Sequence, residues 1–138
     1  MNDMVTDKIQ SIQLCIARAR EEYNADPKHF ETNFTRQDAA ILNVIRAYEQ
    51  TIDLANHLIK SHKMGIPTSS AESFEILQKQ GVIEPELAEK LKKMVYFRNL
   101  AIHRYQQMDL EIVKAVIVSG LDDLIAFGDR VLKFTRGG

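Results

Sequence analysis

Ile41-Leu42-Asn43-Val44-Ile45-Arg46-Ala47-Tyr48-Glu49-Gln50-Thr51-Ile52-Asp53-Leu54-Ala55-Asn56-His57-Leu58-Ile59 runs without a glycine or a proline. Within it Ile41, Val44, Ile45, Tyr48, Ile52, Ala55 and Ile59 recur at helical spacing, which lines one face of an α-helix. The strict two-residue alternation of a half-buried strand does not occur here or elsewhere in the chain. Upstream, Val5, Ile9, Ile12, Ile16, Ala19 and Tyr23 step by three and four along a first helix. The Asn24 to Asn33 stretch with Pro27 reads as a loop, and Thr35 followed by Asp38 resembles a capping box with Asp in place of Glu. Downstream, the second helix is predicted to end before Gly65-Ile66-Pro67. Ser69 and Glu72 form another capping box, opening a short helix with Phe74 and Leu77 that stops at Gly81. Pro85 suits the first turn of a fourth helix carrying Leu87, Leu91, Met94 and Val95. Asp109 is placed to cap a last helix with Val113, Val116, Ile117, Leu124, Phe127 and Val131. Stripes of this kind are buried most simply in a bundle, so the expected fold is all-α, an antiparallel bundle of four to five helices.

With 138 residues the chain has room for one domain, expected to span residues 1–138. Hydrophobic residues make up 45% and charged ones 27%, a mix that buries a core and excludes disorder as the main state. The longest apolar runs, such as Ala115-Val116-Ile117-Val118, fall far short of the ~20 residues of a membrane span. The opening Met1 to Asp7 is acidic and lacks an apolar h-region, so no secretory signal is expected. A lone cysteine, Cys15, forms neither an internal disulfide nor a Cys-based zinc site, as fits a reducing cytoplasm. Net charge is −1, so nucleic-acid binding would need a local basic cluster.

The fourth helix breaks its own pattern. With Leu87 at the centre of its apolar stripe, Leu91, Met94, Ala101, Ile102 and Tyr105 project within roughly 60° of that centre. Arg98 projects within about 20° of it, so a guanidinium occupies a core position. Such an arginine must snorkel, pair with a carboxylate or face a cleft. Asn99 and His103, four apart, share one flank and can act on one target. Tyr96 and Leu100 give the far side a second apolar patch, which places the helix either centrally in its own bundle or against another chain.

Taken singly these residues have ordinary structural explanations: a satisfied arginine, a histidine near a helix C-terminus, a core tyrosine. Glu49, at the edge of the second helix's stripe, is a candidate partner for Arg98. Asp53 and His57 are four apart, but a metal site wants more convergent ligands than this pair, which reads as a solvated or salt-bridged flank. Lys90, Lys92 and Lys93 form a basic run before the motif, either a solvated face or a source of phosphate contacts. No P-loop, GxGxxG, HExxH or GxSxG pattern occurs.

Together, Arg98-Asn99-x3-His103-x-Tyr105 resembles the R-x4-6-H motif of the HEPN superfamily, and its H-x-Y ending resembles the signature of HepT-type toxins. The resemblance extends to chain length, helix order, the Gly-Ile-Pro connection and the helix after the motif. It implies an all-α, homodimeric, metal-independent endoribonuclease with no cofactor, in which two copies of the motif line one cleft. It implies that His103 acts as general base or acid and that Arg98 stabilises charge on the phosphoryl oxygens, with Asn99 supporting. The implied partners are an RNA substrate and a minimal nucleotidyltransferase antitoxin of the MntA type, which transfers AMP to Tyr105; no membrane partner is implied. Two other functions compete: a non-catalytic substrate-binding subunit of a nucleotidyltransferase, and a helical adaptor in which Arg98 and His103 serve stability alone. Tyr105 carries opposed expectations, since its projection argues for burial while the motif requires an exposed hydroxyl. Both hold if the helix ends near His103.

Overall fold

The computed structural model describes residues 3–104 and 107–137 of the chain. Its helices are α1 (Asp3–Asn24), α2 (Phe34–Ser61), α3 (Ser70–Lys79), α4 (Pro85–Arg104), α5 (Leu110–Ala115) and α6 (Asp122–Gly137), with a short 3₁₀ turn at Pro27–His29. No strand occurs among the described residues. α5 and α6 are joined through a wide π turn at Val116–Gly120, so five helices result if they are counted as one bent helix. The all-α expectation is borne out.

α1 and α2 form an antiparallel hairpin. Lys8 near the start of α1 reaches Gln50 (2.9 Å) and Asp53 (3.5 Å), while Arg36 at the start of α2 reaches Glu22 near the end of α1 (3.2 Å). The stripes read from the sequence face inward: Ile12, Ala19, Val44, Ala55, Ile59 and Leu91 are all buried. Their burial, at about 25 cal/mol per Å² of apolar surface, is the main force holding the helices together.

Some boundaries differ from the sequence expectation. The second helix is capped by Asn33, whose side chain accepts from the Arg36 backbone N–H at 3.1 Å; Thr35 already lies inside the first turn. At α3 the capping box forms in a shifted version. Ser69 accepts from the Glu72 N–H (3.1 Å), but the Glu72 carboxylate reaches back to the Thr68 N–H (2.9 Å). α3 ends at Gly81, whose φ of +78° is the left-handed conformation that favours glycine at a helix end. Asp109 caps α5 as expected, accepting from the Glu111 N–H at 2.9 Å. The last helix is not continuous. At the π turn, Arg20 of α1 donates from Nε to the Ile117 carbonyl (2.9 Å) and pairs with Asp122 (2.8 Å), satisfying backbone where the regular ladder is disturbed.

α4 packs on α2, α3 and α6 and carries Arg98, Asn99 and His103. No helix among the described residues is long and apolar enough to cross a membrane.

Candidate functional site

The site is built from the second half of α4, the middle of α2 and the start of α3. Arg98 lies in the apolar stripe, flanked by buried Met94, Val95, Phe97 and Ala101. Its side chain is 16% exposed, and its Nη1 donates to Glu49 Oε1 of α2 at 2.6 Å. Nη2 makes a long contact with Ser70 Oγ (3.4 Å), and Nε is buried without a hydrogen-bond partner among the described residues. Of the three fates open to an arginine on a core face, pairing is the one realised, and with the carboxylate expected from the stripe. One turn of geometry explains why the pair meets. Tyr48, next to Glu49, packs edge-on against Phe97, next to Arg98, with ring centroids 5.8 Å apart.

Asn99 and His103 are both exposed on the opposite side of α4. Five residues along a helix separate Arg98 and His103 by about 140° around the axis and ~7.5 Å along it. The structure therefore brings Arg98 to Glu49 and Ser70, and brings Asn99 and His103 to solvent together. It does not draw Arg98 and His103 onto one point within the chain. Tyr105 lies outside the described residues.

The second apolar patch is on the surface. Tyr96 is 67% exposed and stands clear of this chain's own bundle, while Leu100, 36% exposed, is partly covered by it. Ile102, expected in the core, is 51% exposed. Towards its end the buried arc of α4 moves round from the Leu91–Val95 side to the Phe97–Ala101 side, which leaves Ile102 outside. A cleft of about 230 Å³ opens where α4 ends and α5 begins, with Phe97, Leu100, Met108 and Ile112 as apolar walls and Arg104 as a cation on its rim.

The lysine run is partly committed. Lys92 pairs with Glu89 (2.7 Å) and Glu75 (3.5 Å), and the Glu89 hydrogen bond holds its ammonium above its ordinary pKa. Lys90 approaches Asp123 (4.0 Å), while Lys93 is exposed. Asp53 pairs with Lys8, as a salt-bridged flank would, and no group of three His, Cys, Asp or Glu side chains converges among the described residues. Ser70 was not visible as a site residue from the sequence: it lies 28 residues from Arg98 and nothing in its local spacing marks it.

A family model described as Ribonuclease HepT-like matches residues 12–131. The chain belongs to this family. Within the HepT-like family, the chain is similar to the mRNA nuclease HepT of Shewanella oneidensis, at 43% identity over 129 residues covering 94% of this chain and 96% of that protein. It also resembles a solved structure of a tri-AMPylated Shewanella oneidensis HEPN toxin in complex with an MNT antitoxin. There the TM-score is 0.89 at 42% identity, with 95% of this chain and 98% of that one covered. A crystal structure of a toxin–antitoxin with AMP-PNP matches equally well, with a TM-score of 0.89, 41% identity and coverage of 94% and 98%.

Proposed function

We propose that this HepT-like chain, with residues 1–138 as one domain, is a metal-independent endoribonuclease toxin acting on RNA in the cytoplasm as a homodimer. The observation that carries the reading is Arg98: a guanidinium built into the core face of α4, held by Glu49, on the same helix as an exposed His103. The family's description as ribonucleases and the mRNA nuclease at 43% identity support it.

The chemistry needs a general base, a general acid and a stabiliser of negative charge. A base takes the proton of a ribose 2′-hydroxyl as that oxygen bonds to the adjacent phosphorus. The P–O5′ bond then breaks, and an acid gives O5′ its proton. Imidazole has an ordinary pKa near ~6.5 and suits either task at neutral pH. Arg98 supplies the planar fork that matches phosphoryl oxygens, and Asn99, on the His103 flank, orients the imidazole or the phosphate. One Arg–His pair is sparse for this work. A twofold axis along the exposed Tyr96–Leu100 patch would double it, giving one imidazole for each proton transfer.

Control of the toxin is assigned to a minimal nucleotidyltransferase antitoxin, which transfers AMP to Tyr105. The phenol oxygen attacks the α-phosphorus of ATP and pyrophosphate leaves. The adenylate adds negative charge two residues from His103, which repels RNA phosphates and blocks the cleft. The structure of an AMPylated HEPN toxin with its MNT antitoxin supports this reading. The test is cleavage of RNA by the purified protein in EDTA. Cutting that disappears in Arg98→Ala and His103→Ala supports the nuclease, whereas no cutting by the parent leaves the non-catalytic binding subunit as the better account.

A further inference from the structure

The guanidinium of Arg98 is under-satisfied for its depth. A guanidinium carries five N–H donors in a flat fork and pairs most strongly with a carboxylate through two parallel bonds. Here Glu49 takes one corner at 2.6 Å, Ser70 stands off at 3.4 Å, and the buried Nε has no partner among the described residues. An ion pair serving only the fold has every reason to saturate the fork, because an unpaired buried donor is costly. A functional residue held by one corner keeps donors available for a ligand.

We infer that Glu49 is a positioning residue for the proposed action of Arg98 on phosphate. It fixes the guanidinium through Nη1 and leaves Nη2, whose one contact among the described residues is the 3.4 Å approach to Ser70, for phosphoryl oxygens. The inference rests on the ribonuclease reading. Three features favour it. Glu49 projects from the middle of α2 between buried Tyr48 and buried Thr51 and Ile52, so its backbone is held firmly. The Tyr48–Phe97 ring pair, one residue before Glu49 and one before Arg98, locks the register of α2 against α4 at this point. The carboxylate offsets the charge of a guanidinium only 16% exposed; without it, hydration would draw that charge outward along its flexible stem.

The test is steady-state cleavage of a fluorescent RNA by the protein and four variants. Glu49→Gln keeps the shape and a hydrogen-bond acceptor but removes the charge. It is expected to melt within a few degrees of the parent, to lower kcat about 10- to 100-fold, and to leave KM within about threefold, the scale of losses when an orienting partner is removed. Glu49→Asp should recover part of the lost kcat. Asp53→Asn, which removes an exposed carboxylate one turn further along α2, should match the parent. A Glu49→Gln enzyme with parental or higher kcat would overturn the inference, as would a loss confined to KM or melting temperature with no rescue by Asp. His103→Ala separates the two levels. If it cuts like the parent, the ribonuclease reading fails and Glu49 with it; if it is silent while Glu49→Gln cuts normally, only the role of Glu49 falls.

Discussion

Replacing Arg98 by methionine separates a residue kept for chemistry from one kept for the fold. Methionine matches the aliphatic stem of arginine and suits the stripe of Leu91, Met94, Val95 and Ala101, but carries no donor and no charge. Three terms set the change in stability. The unpaired buried Nε disappears, which returns about 1–3 kcal/mol. The ion pair with Glu49 is lost, but that carboxylate is 40% exposed and can be hydrated, so the loss is of the order of a partly exposed pair, about 1 kcal/mol or less. The 3.4 Å contact with Ser70 is too long to weigh much. The balance runs from neutral to roughly 3 kcal/mol in favour of the variant, using those same ranges. For a chain of this length that is a rise in Tm of up to about 10 °C. Cleavage should fall by about 10²–10³, the cost of removing one stabiliser of transition-state charge. Urea unfolding followed by far-UV circular dichroism, alongside RNA cleavage, measures both. A stability loss of about 3–5 kcal/mol is the signature of a broken buried pair and would make Arg98 a structural residue. Parental cleavage by the variant would refute the catalytic assignment outright.

Three further outcomes are expected. Tyr105→Phe loses one oxygen, so it should fold and cut RNA like the parent yet escape silencing by the nucleotidyltransferase, and peptide mass spectrometry should find no adenylate on it; an adenylate on Tyr23, Tyr48 or Tyr96 of the parent, with Tyr105 untouched, would defeat the assignment. Leu100→Asp places a charge in the exposed apolar patch and should give a monomer by sedimentation at tens of micromolar (roughly where modest interfaces still form) with cleavage lost; a stable dimer would place the interface elsewhere. Burial raises the Asp123 carboxyl above its ordinary pKa, against the opposing pull of Lys90. The folded state then binds that proton more tightly than the unfolded state, so stability falls as pH rises through the gap. Asp123→Asn should melt higher than the parent at pH 7, with the difference closing as pH drops toward the ordinary carboxylate range near ~4; a lower melting temperature at pH 7 would contradict it.

The helices were legible because their stripes are long and regular, and burial of Ile12, Val44, Ile59 and Leu91 follows from spacing alone. What spacing did not carry was set by contacts distant in sequence. The π turn at Val116–Gly120 is stabilised by Arg20, 97 residues before Ile117, and no local signal announces that partner. Asn33 displaced Thr35 as the cap because an earlier side chain already met the Arg36 N–H. In the site, Arg98 stood out as a charge on an apolar stripe, and Glu49 was within reach because it edges the neighbouring stripe. Ser70 was invisible, since its approach depends on how α3 is set against α4. Ile102 was misplaced because a projection assumes one straight buried arc, whereas the arc on α4 turns toward Phe97 and Ala101.

The chemistry itself is tested most directly by the ends of the cut RNA. EDTA-treated protein is given an oligoribonucleotide and a matched strand whose 2′-hydroxyls are all methylated, and the fragments are weighed by mass spectrometry. Attack by the 2′-hydroxyl leaves a 2′,3′-cyclic phosphate on one fragment and a 5′-hydroxyl on the other, spares the methylated strand, and yields nothing with His103→Ala. Fragments bearing 5′-phosphates, cutting of the methylated strand, or undiminished products from His103→Ala would contradict it.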